Sequence, residues 1–227
     1  MQRLFDIVLS SAAILLLSPL LVPIAIALRF TGEGEVFYMQ TRIGCGGKAF
    51  KLIKFATMLK DSPNIGTGTV TVKDDPRVLP MGRFLRKSKI NELPQLINIL
   101  FGDMSVIGPR PHAIKNFDSF SDEQKAIVTR VRPGLSGIGS IVFRDEENLL
   151  HSVDDPVALH SDYFMPYKGQ LEEWYVRHSS TRTYFMLIWM TVLAIIFPNS
   201  AKVWRVFPDL PAPPEEISKL LNYPSWA

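Results

Sequence analysis

The run IVLSSAAILLLSPLLVPIAIAL, Ile7 to Leu28, carries no charged residue for 22 positions. A helix of about 20 apolar residues reaches across the hydrocarbon of a bilayer, so a buried soluble helix is the weakest reading of this segment. A cleaved secretory signal would share the apolar core, but no small-x-small cleavage site follows the run, and retention as an anchor fits better. Two interior prolines complicate the helix. Pro19 has no amide to offer the carbonyl of Leu15 and its ring presses on that carbonyl; Pro23 repeats the problem one turn on. Membrane helices tolerate such prolines where a neighbouring hydroxyl, here Ser18, satisfies the freed group. Arg3 precedes the run and Arg29 follows it, and basic residues favour the cytoplasmic side of a membrane. A helix broken at Ser18-Pro19 is therefore expected to enter the bilayer and return, with a straight span as its rival.

The whole chain of 227 residues is 47% apolar and 21% charged, which suits one ordinary domain with appendages and excludes a disordered chain. Its net charge of +3 suits an anionic lipid surface or a phosphorylated substrate. Nucleic acid is not an expected partner, because RFLRKSK is the only basic run and no aromatic stacking series or reading helix accompanies it. Cys45 is the single cysteine, so no intrachain disulfide forms and no zinc or iron-sulfur spacing exists.

Downstream, Val36 to Gln40 and Phe50 to Phe55 read as strands around the glycine turn RIGCGGK, a hairpin connection rather than a phosphate loop of GxxxxGK[ST] spacing. Residues 61 to 69 are glycine-rich and polar, a loop of the kind that overhangs a site. Pro80 to Lys87 reads as a short basic helix. The next helix is expected to begin with Asn91 as its N-cap, which puts Pro94 in the first turn where its missing amide costs nothing. Ser121 and Gln124 have capping-box spacing at the head of SDEQKAIVTRV; VRPG closes that helix and SGIGSIVF resumes as a strand. Tyr184 to Phe197 is apolar but short for a span, and fits either an interfacial helix, with Tyr184 and Trp189 at the headgroups, or a core helix. The final twenty residues read as an irregular tail around one short helix. No repeat or second domain is visible.

The chemistry-bearing residues gather between Asp74 and Arg110. Asp74 and Asp75 precede Arg77; Arg83, Arg86, Lys87 and Lys89 follow; then come Asn91-Glu92, Asp103 and Arg110. Guanidinium forks hold phosphate oxygens and carboxylates hold a divalent cation, the two needs of phosphoryl transfer. Each residue alone fits a solvated basic face equally well. SVIGPRPH is harder to read that way, because Pro109 and Pro111 stiffen the backbone on both sides of Arg110.

Taken in order, LFDIVLSSAAILLLSPL, GEGEVFYMQTRIGCGGKAFKLIKFATM, DPRVLPMGRFLRKSKINELPQLINILFGDMSVIGPRP and VRPGLSGIG resemble the bacterial sugar transferases, monotopic phosphoglycosyl transferases acting on polyprenol phosphate. The resemblance implies an α/β fold, compact and membrane-associated, with a re-entrant N-terminal helix kinked at Ser18-Pro19 and interfacial helices. Residues 1–33 would anchor, 34–180 form the catalytic core, and 181–227 a membrane-proximal helix and tail. It implies transfer of a sugar-1-phosphate from a UDP-sugar to undecaprenyl phosphate with release of UMP, using Mg²⁺ at the cytoplasmic face of the bacterial inner membrane. This would be the first membrane-linked step of a surface glycan, with downstream glycosyltransferases as further partners.

The family mechanism is ping-pong: an aspartate attacks the sugar-bearing β-phosphorus and the lipid phosphate then displaces it. The family's Asp-Glu dyad falls on Asn91-Glu92, and the arginine of its PRP motif on Arg110. The expected site is therefore Glu92, Asn91 and Asp103 as catalytic groups, Glu92 and Asp103 as metal ligands, and Arg110, Arg83, Arg86 and Lys87 against phosphate. Two positions depart from the family pattern. An amide at Asn91 lacks the anionic oxygen that covalent catalysis at phosphorus wants, and Ala56 stands where the family commonly has arginine. Four outcomes follow: another carboxylate attacks, Glu92 before Asp103; the lipid phosphate attacks directly; the chain is an engineered trap; or it binds without turnover as a membrane scaffold. The identity of the sugar is left open.

Overall fold

A computed structural model describes residues 1–65, 75–118, 120–151, 153, 155–197 and 201–224. Helix α1 spans Gln2–Arg29. A hairpin follows, β1 Phe37–Ile43 against β2 Ala49–Phe55. Then come α2 Pro80–Lys87, α3 Gln95–Phe101 and strand β3 Ser105–Ile107. Next are α4 Ile114–Phe117, α5 Asp122–Val128, strand β4 Gly134–Ser136, α6 Ile138–Val142 and α7 Glu146–His151. Last are α8 Pro156–Leu159, a π-helical turn His160–Phe164, α9 Met165–Arg177, α10 Thr181–Ile196, α11 Ala201–Val206 and α12 Glu215–Ser218. The fold is mixed α/β: β1 and β2 pair antiparallel, and β3 and β4 pair parallel.

Helix α1 is assigned as one helix through both prolines. The local repair is: Ser18 Oγ donates to the Leu15 carbonyl at 2.9 Å, the group Pro19 leaves unpaired. The body touches α1 along its whole length. Arg3 donates to the carbonyls of Ile99 and Leu100, the latter at 2.7 Å, a cation on the negative end of α3. Asp6, 1% exposed, accepts from Ser105 Oγ, the Val106 amide and Tyr184 Oη at 2.9, 3.0 and 2.9 Å. Ala13, Ile14 and Leu17 lie on the cluster of Leu52, Leu96, Ile99 and Met104, and Ile24 and Leu28 on Phe55 and Leu85. The opposite face, including Leu4, Val8, Leu15, Leu16, Val22 and Ile26, is exposed. By length and composition this helix is able to cross a membrane.

The hairpin forms as expected, its turn carried by Gly46 and Gly47 at φ 67° and 72°, left-handed values that cost a side chain energy. The capping box forms too: Gln124 N donates to Ser121 Oγ and Ser121 N to Gln124 Oε1, both at 3.2 Å. SGIGSIVF is a correction. Only Gly134–Ser136 is strand, and Ile138–Val142 coils into α6, burying Ile138, Ile141 and Val142 in the main core.

That core also takes Tyr167, Leu171, Tyr184 and Leu187 from α9 and α10. Helix α10 splits the two readings offered for it: Tyr184, Leu187 and Met190 are buried, whereas Phe185, Trp189, Ile195 and Ile196 are exposed. The last twenty residues hold one short helix, α12, as expected, but they are less peripheral than a tail: Leu210, Ile217 and Leu221 belong to the main core, as do Val203, Trp204 and Phe207 just before them. Trp174 Nε1 donates to Asp209 at 3.0 Å and Tyr167 Oη to the Pro211 carbonyl at 2.8 Å.

Candidate active site

The strand period of two puts Leu52 and Lys54 on one face of β2. Leu52 faces the core below α1, and Lys54 continues that face to the edge of a cleft shared with Arg42 of β1, Glu92, Gln95 and Arg110. Lys54 Nζ lies 2.7 Å from Glu92 Oε1, and Arg110 Nη2 lies 3.8 Å from the same oxygen. The cleft opens to solvent and its lining is mainly polar, with three cations on it, the chemistry that holds phosphate oxygens.

Backbone contacts fix the loop that carries Arg110. Gly134 N donates to the Pro109 carbonyl at 2.8 Å, Gly108 N to Ser136 at 3.0 Å, and Ile43 N to His112 at 3.2 Å. A Cβ on Gly134 would sit 2.1 Å from the Gly108 nitrogen, so glycine is required for this approach. Arg42 Nη1 donates to the Pro111 carbonyl at 3.2 Å. Behind the loop lies the carboxyl of Glu172, 1% exposed, close enough to Arg110 that this residue opposes the upward push of burial on it.

Three cations surround one carboxylate. Burial alone would push the Glu92 carboxyl up, but Lys54 and then Arg110 outweigh it and hold the group well below the usual carboxylate range. Burial lowers Lys54, an effect Glu92 opposes. Burial and the Arg110 charge bring Arg42 down to about 10, so it stays protonated at neutral pH. Burial takes Glu172 up to about 7 and His112 down to about 3.

The cap expected of Asn91 is absent. Asn91 lies inside a 3₁₀ turn, Ile90–Glu92, entered through Lys89 at φ 59°. The amides of Glu92 and Leu93 are taken by the carbonyls of Lys89 and Ile90, and α3 begins only at Gln95 with no side-chain cap. Asn91 is buried and its Oδ1 has no hydrogen-bond partner.

The structure therefore joins Glu92 and Arg110 in one cleft, with Asn91 beside Glu92 in the same turn. Asp103 is exposed at the other end of α3, where its Oδ2 accepts from Asn98 Nδ2 at 3.2 Å. Arg83 and Lys87 are exposed on α2 and do not line the cleft; Arg86 is half-buried, its Nη1 3.7 Å from Met58 Sδ. Arg77 is buried on Asp75, with Nε–Oδ1 at 2.9 Å, and also holds the carbonyls of Ser62 and Ile65 at 2.8 Å, which makes this pair a loop anchor. Asp74 and residues 66–69 of the loop at 61–69 fall outside the described residues. Among the described residues no three His, Cys, Asp or Glu side chains converge as a metal cage. Lys54 and Arg42 escaped the sequence reading; the signal available was a charged residue in phase with the core-facing Leu52.

The profile of the bacterial sugar transferases matches residues 1–198. The chain belongs to this family. It is 38% identical over 166 residues to the UDP-glucose:undecaprenyl-phosphate glucose-1-phosphate transferase of Escherichia coli K12, covering 72% of this chain and 36% of that protein. Over 159 residues it is 37% identical to the exopolysaccharide production protein ExoY of Rhizobium meliloti, covering 64% of this chain and 70% of ExoY. A glucose-1-phosphate transferase of Caulobacter vibrioides is 38% identical over 144 residues, 62% of this chain and 53% of that protein. The matched region thus spans about a third of the Escherichia coli relative.

Proposed function

We propose that the chain transfers a sugar-1-phosphate from a UDP-sugar to undecaprenyl phosphate and releases UMP, with UDP-glucose the first donor to test. The observation that carries this reading is the cleft itself: Lys54, Arg42 and Arg110 converge around Glu92, in a family whose glucose-1-phosphate transferases are 38% identical to this chain. The cations match the charge of the donor pyrophosphate and of the phosphate that accumulates it in the transition state.

The side chains favour direct transfer over a covalent intermediate. Asn91 is neutral, and Glu92 is held ionised with one oxygen tied to Lys54 at 2.7 Å, which blunts it as a nucleophile. An oxygen of the lipid phosphate attacks the β-phosphorus, the bond from that phosphorus to the bridging oxygen breaks, and UMP leaves with the oxygen and its electron pair. No proton has to move. Lys54, Arg42 and Arg110 hold the phosphate oxygens throughout. Mg²⁺ would enter as a companion of the donor: the Glu92 carboxylate is the oxygen ligand the cleft offers, of the kind Mg²⁺ takes while keeping several waters and substrate phosphates. When bound it supplies charge neutralisation on the pyrophosphate.

The protein works at the cytoplasmic face of the inner membrane on this reading. Support comes from α1, whose two ends rest on the same body while its apolar outer face is bare; labelling of single cysteines placed before and after Pro19 from one side only would distinguish re-entry from a span. For the reaction, the purified chain in lipid nanodiscs is given undecaprenyl phosphate, Mg²⁺ and radiolabelled UDP-sugars. Lipid-linked product and UMP are expected in equal amounts, with no phosphosugar left on acid-quenched protein. A protein adduct would restore the covalent route. No product from any donor, with turnover appearing in Asn91→Asp, would replace an active transferase by a silent substrate-binding one.

A further inference from the structure

Arg83 and Lys87, expected against phosphate, stand exposed on α2 away from the cleft, and among the described residues neither meets an acidic side chain. We propose that the outer face of α2, where these two cations flank Phe84, rests on the headgroups of anionic phospholipids beside the C-terminal end of α1. The inference rests on the membrane placement of α1 given above, and adds which lipids the body selects and through which side chains.

Packing fixes the way α2 faces. Leu85 is fully buried with Ile24, Leu28 and Phe55, and Met81 rests on the same cluster. Thr31 Oγ1, just past α1, lies 3.9 Å from Met81 Sδ. A Cβ on Gly82 would sit 2.1 Å from the Thr57 carbonyl oxygen, so the helix cannot roll without breaking that approach. With about 100° between successive residues, Pro80, Arg83, Phe84 and Lys87 then share an arc of roughly 100° on the side opposite Gly82 and Leu85. All four are exposed.

The face mixes two chemistries that water alone does not call for together. Phe84 is 62% exposed and Phe30, at the end of α1, is 83% exposed, with Ile26 and Val22 bare one and two turns before it. A headgroup layer takes aromatic rings at its apolar boundary while guanidinium and ammonium groups meet its phosphates. The charges choose the lipid, because an anionic leaflet attracts each such cation through its surface potential. Lys89 is exposed just beyond the helix and adds to the same charge. Glu33 and Glu35 of the linker after α1 are turned to Lys60, whose amide donates to Glu33 Oε2 and whose Nζ lies 3.1 Å from Glu35 Oε1, so they leave the cations of α2 uncancelled.

Fluorescence quenching on the full chain in nanodiscs tests this. Cys45→Ser removes the native thiol, and a fluorophore is placed on Pro80→Cys or, separately, on Leu16→Cys in the bare face of α1. The discs are phosphatidylcholine with or without phosphatidylglycerol, and carry a lipid with a nitroxide on its headgroup. The Pro80 label should be quenched at least about twofold more when phosphatidylglycerol is present, each cation favouring the membrane-touching state by about fivefold. That difference should vanish near 1 M salt, where the screening length falls to about 3 Å. Arg83→Gln/Lys87→Gln should abolish it at low salt too, and Phe84→Ser should weaken quenching in both lipids. Equal quenching in the two lipids, or a Pro80 label open to iodide in both, overturns the proposal. Protection from iodide without nitroxide quenching also overturns it and puts a protein on this face instead. A Leu16 label that an acyl-chain nitroxide fails to quench shows that the membrane placement itself has failed; its quenching beside a silent Pro80 label retires the α2 contact alone.

Discussion

Replacing Lys54 by Met probes the centre of the site. Lys54 and Glu92 lie 2.7 Å apart with side chains 19% and 22% exposed. At an effective dielectric near 20 the gross attraction is roughly 6 kcal/mol, most of it offset by desolvation of the two charges. Removing one partner of a fully buried pair costs about 3–5 kcal/mol. Partial exposure, and Arg110 still 3.8 Å from the orphaned carboxylate, reduce the expected loss to ~2–3 kcal/mol. Urea unfolding in detergent, followed by tryptophan fluorescence, measures it. Lys54→Met/Glu92→Gln removes both charges and should recover most of the stability, a coupling of about 2 kcal/mol. Activity should behave differently: Lys54→Met loses about a hundredfold in kcat/KM and the double variant recovers none of it, because phosphate still lacks its cation. A stability loss under about 0.5 kcal/mol, or strict additivity of the two changes, would refute the coupling.

Asp6→Ala strips three donors of their common acceptor and is expected to cost ~3 kcal/mol in a thermal melt; a loss below about 0.5 kcal/mol would show that α1 is not held through Asp6. Glu172 gives a pH signature. Its carboxyl rises from 4.5 to about 7 on folding, so the neutral form is the stable one in the folded state. The stability it contributes is complete below about pH 4.5 and is lost as pH rises to about 7, roughly 3 kcal/mol in all. Glu172→Gln should therefore gain on the wild type across that window; parallel stability profiles would contradict the burial argument.

Short-range features were readable from the residues alone. The anchor-length apolar run, the hydroxyl of Ser18 meeting the carbonyl freed by Pro19, the glycine turn of the hairpin and the capping box at Ser121 depend on neighbours within four positions or on the strand period of two. Asn91 shows where such reasoning stops. Its type and its distance from Pro94 describe a good cap, yet Lys89 turns the chain into a 3₁₀ turn whose own carbonyls satisfy the amides, and the side chain is left buried without a partner. The composition of the site was likewise legible only as an excess of charged residues between 74 and 110. Which of them meet was decided by the tertiary structure: α3 carries Asp103 away from Glu92 by its length, the hairpin brings in Lys54 and Arg42, and glycine contacts between two distant loops aim Arg110. Charge and propensity belong to single residues and travel with the sequence, whereas a cleft is made of side chains that only the packing of α1, β2 and α3 brings within a few ångströms of each other.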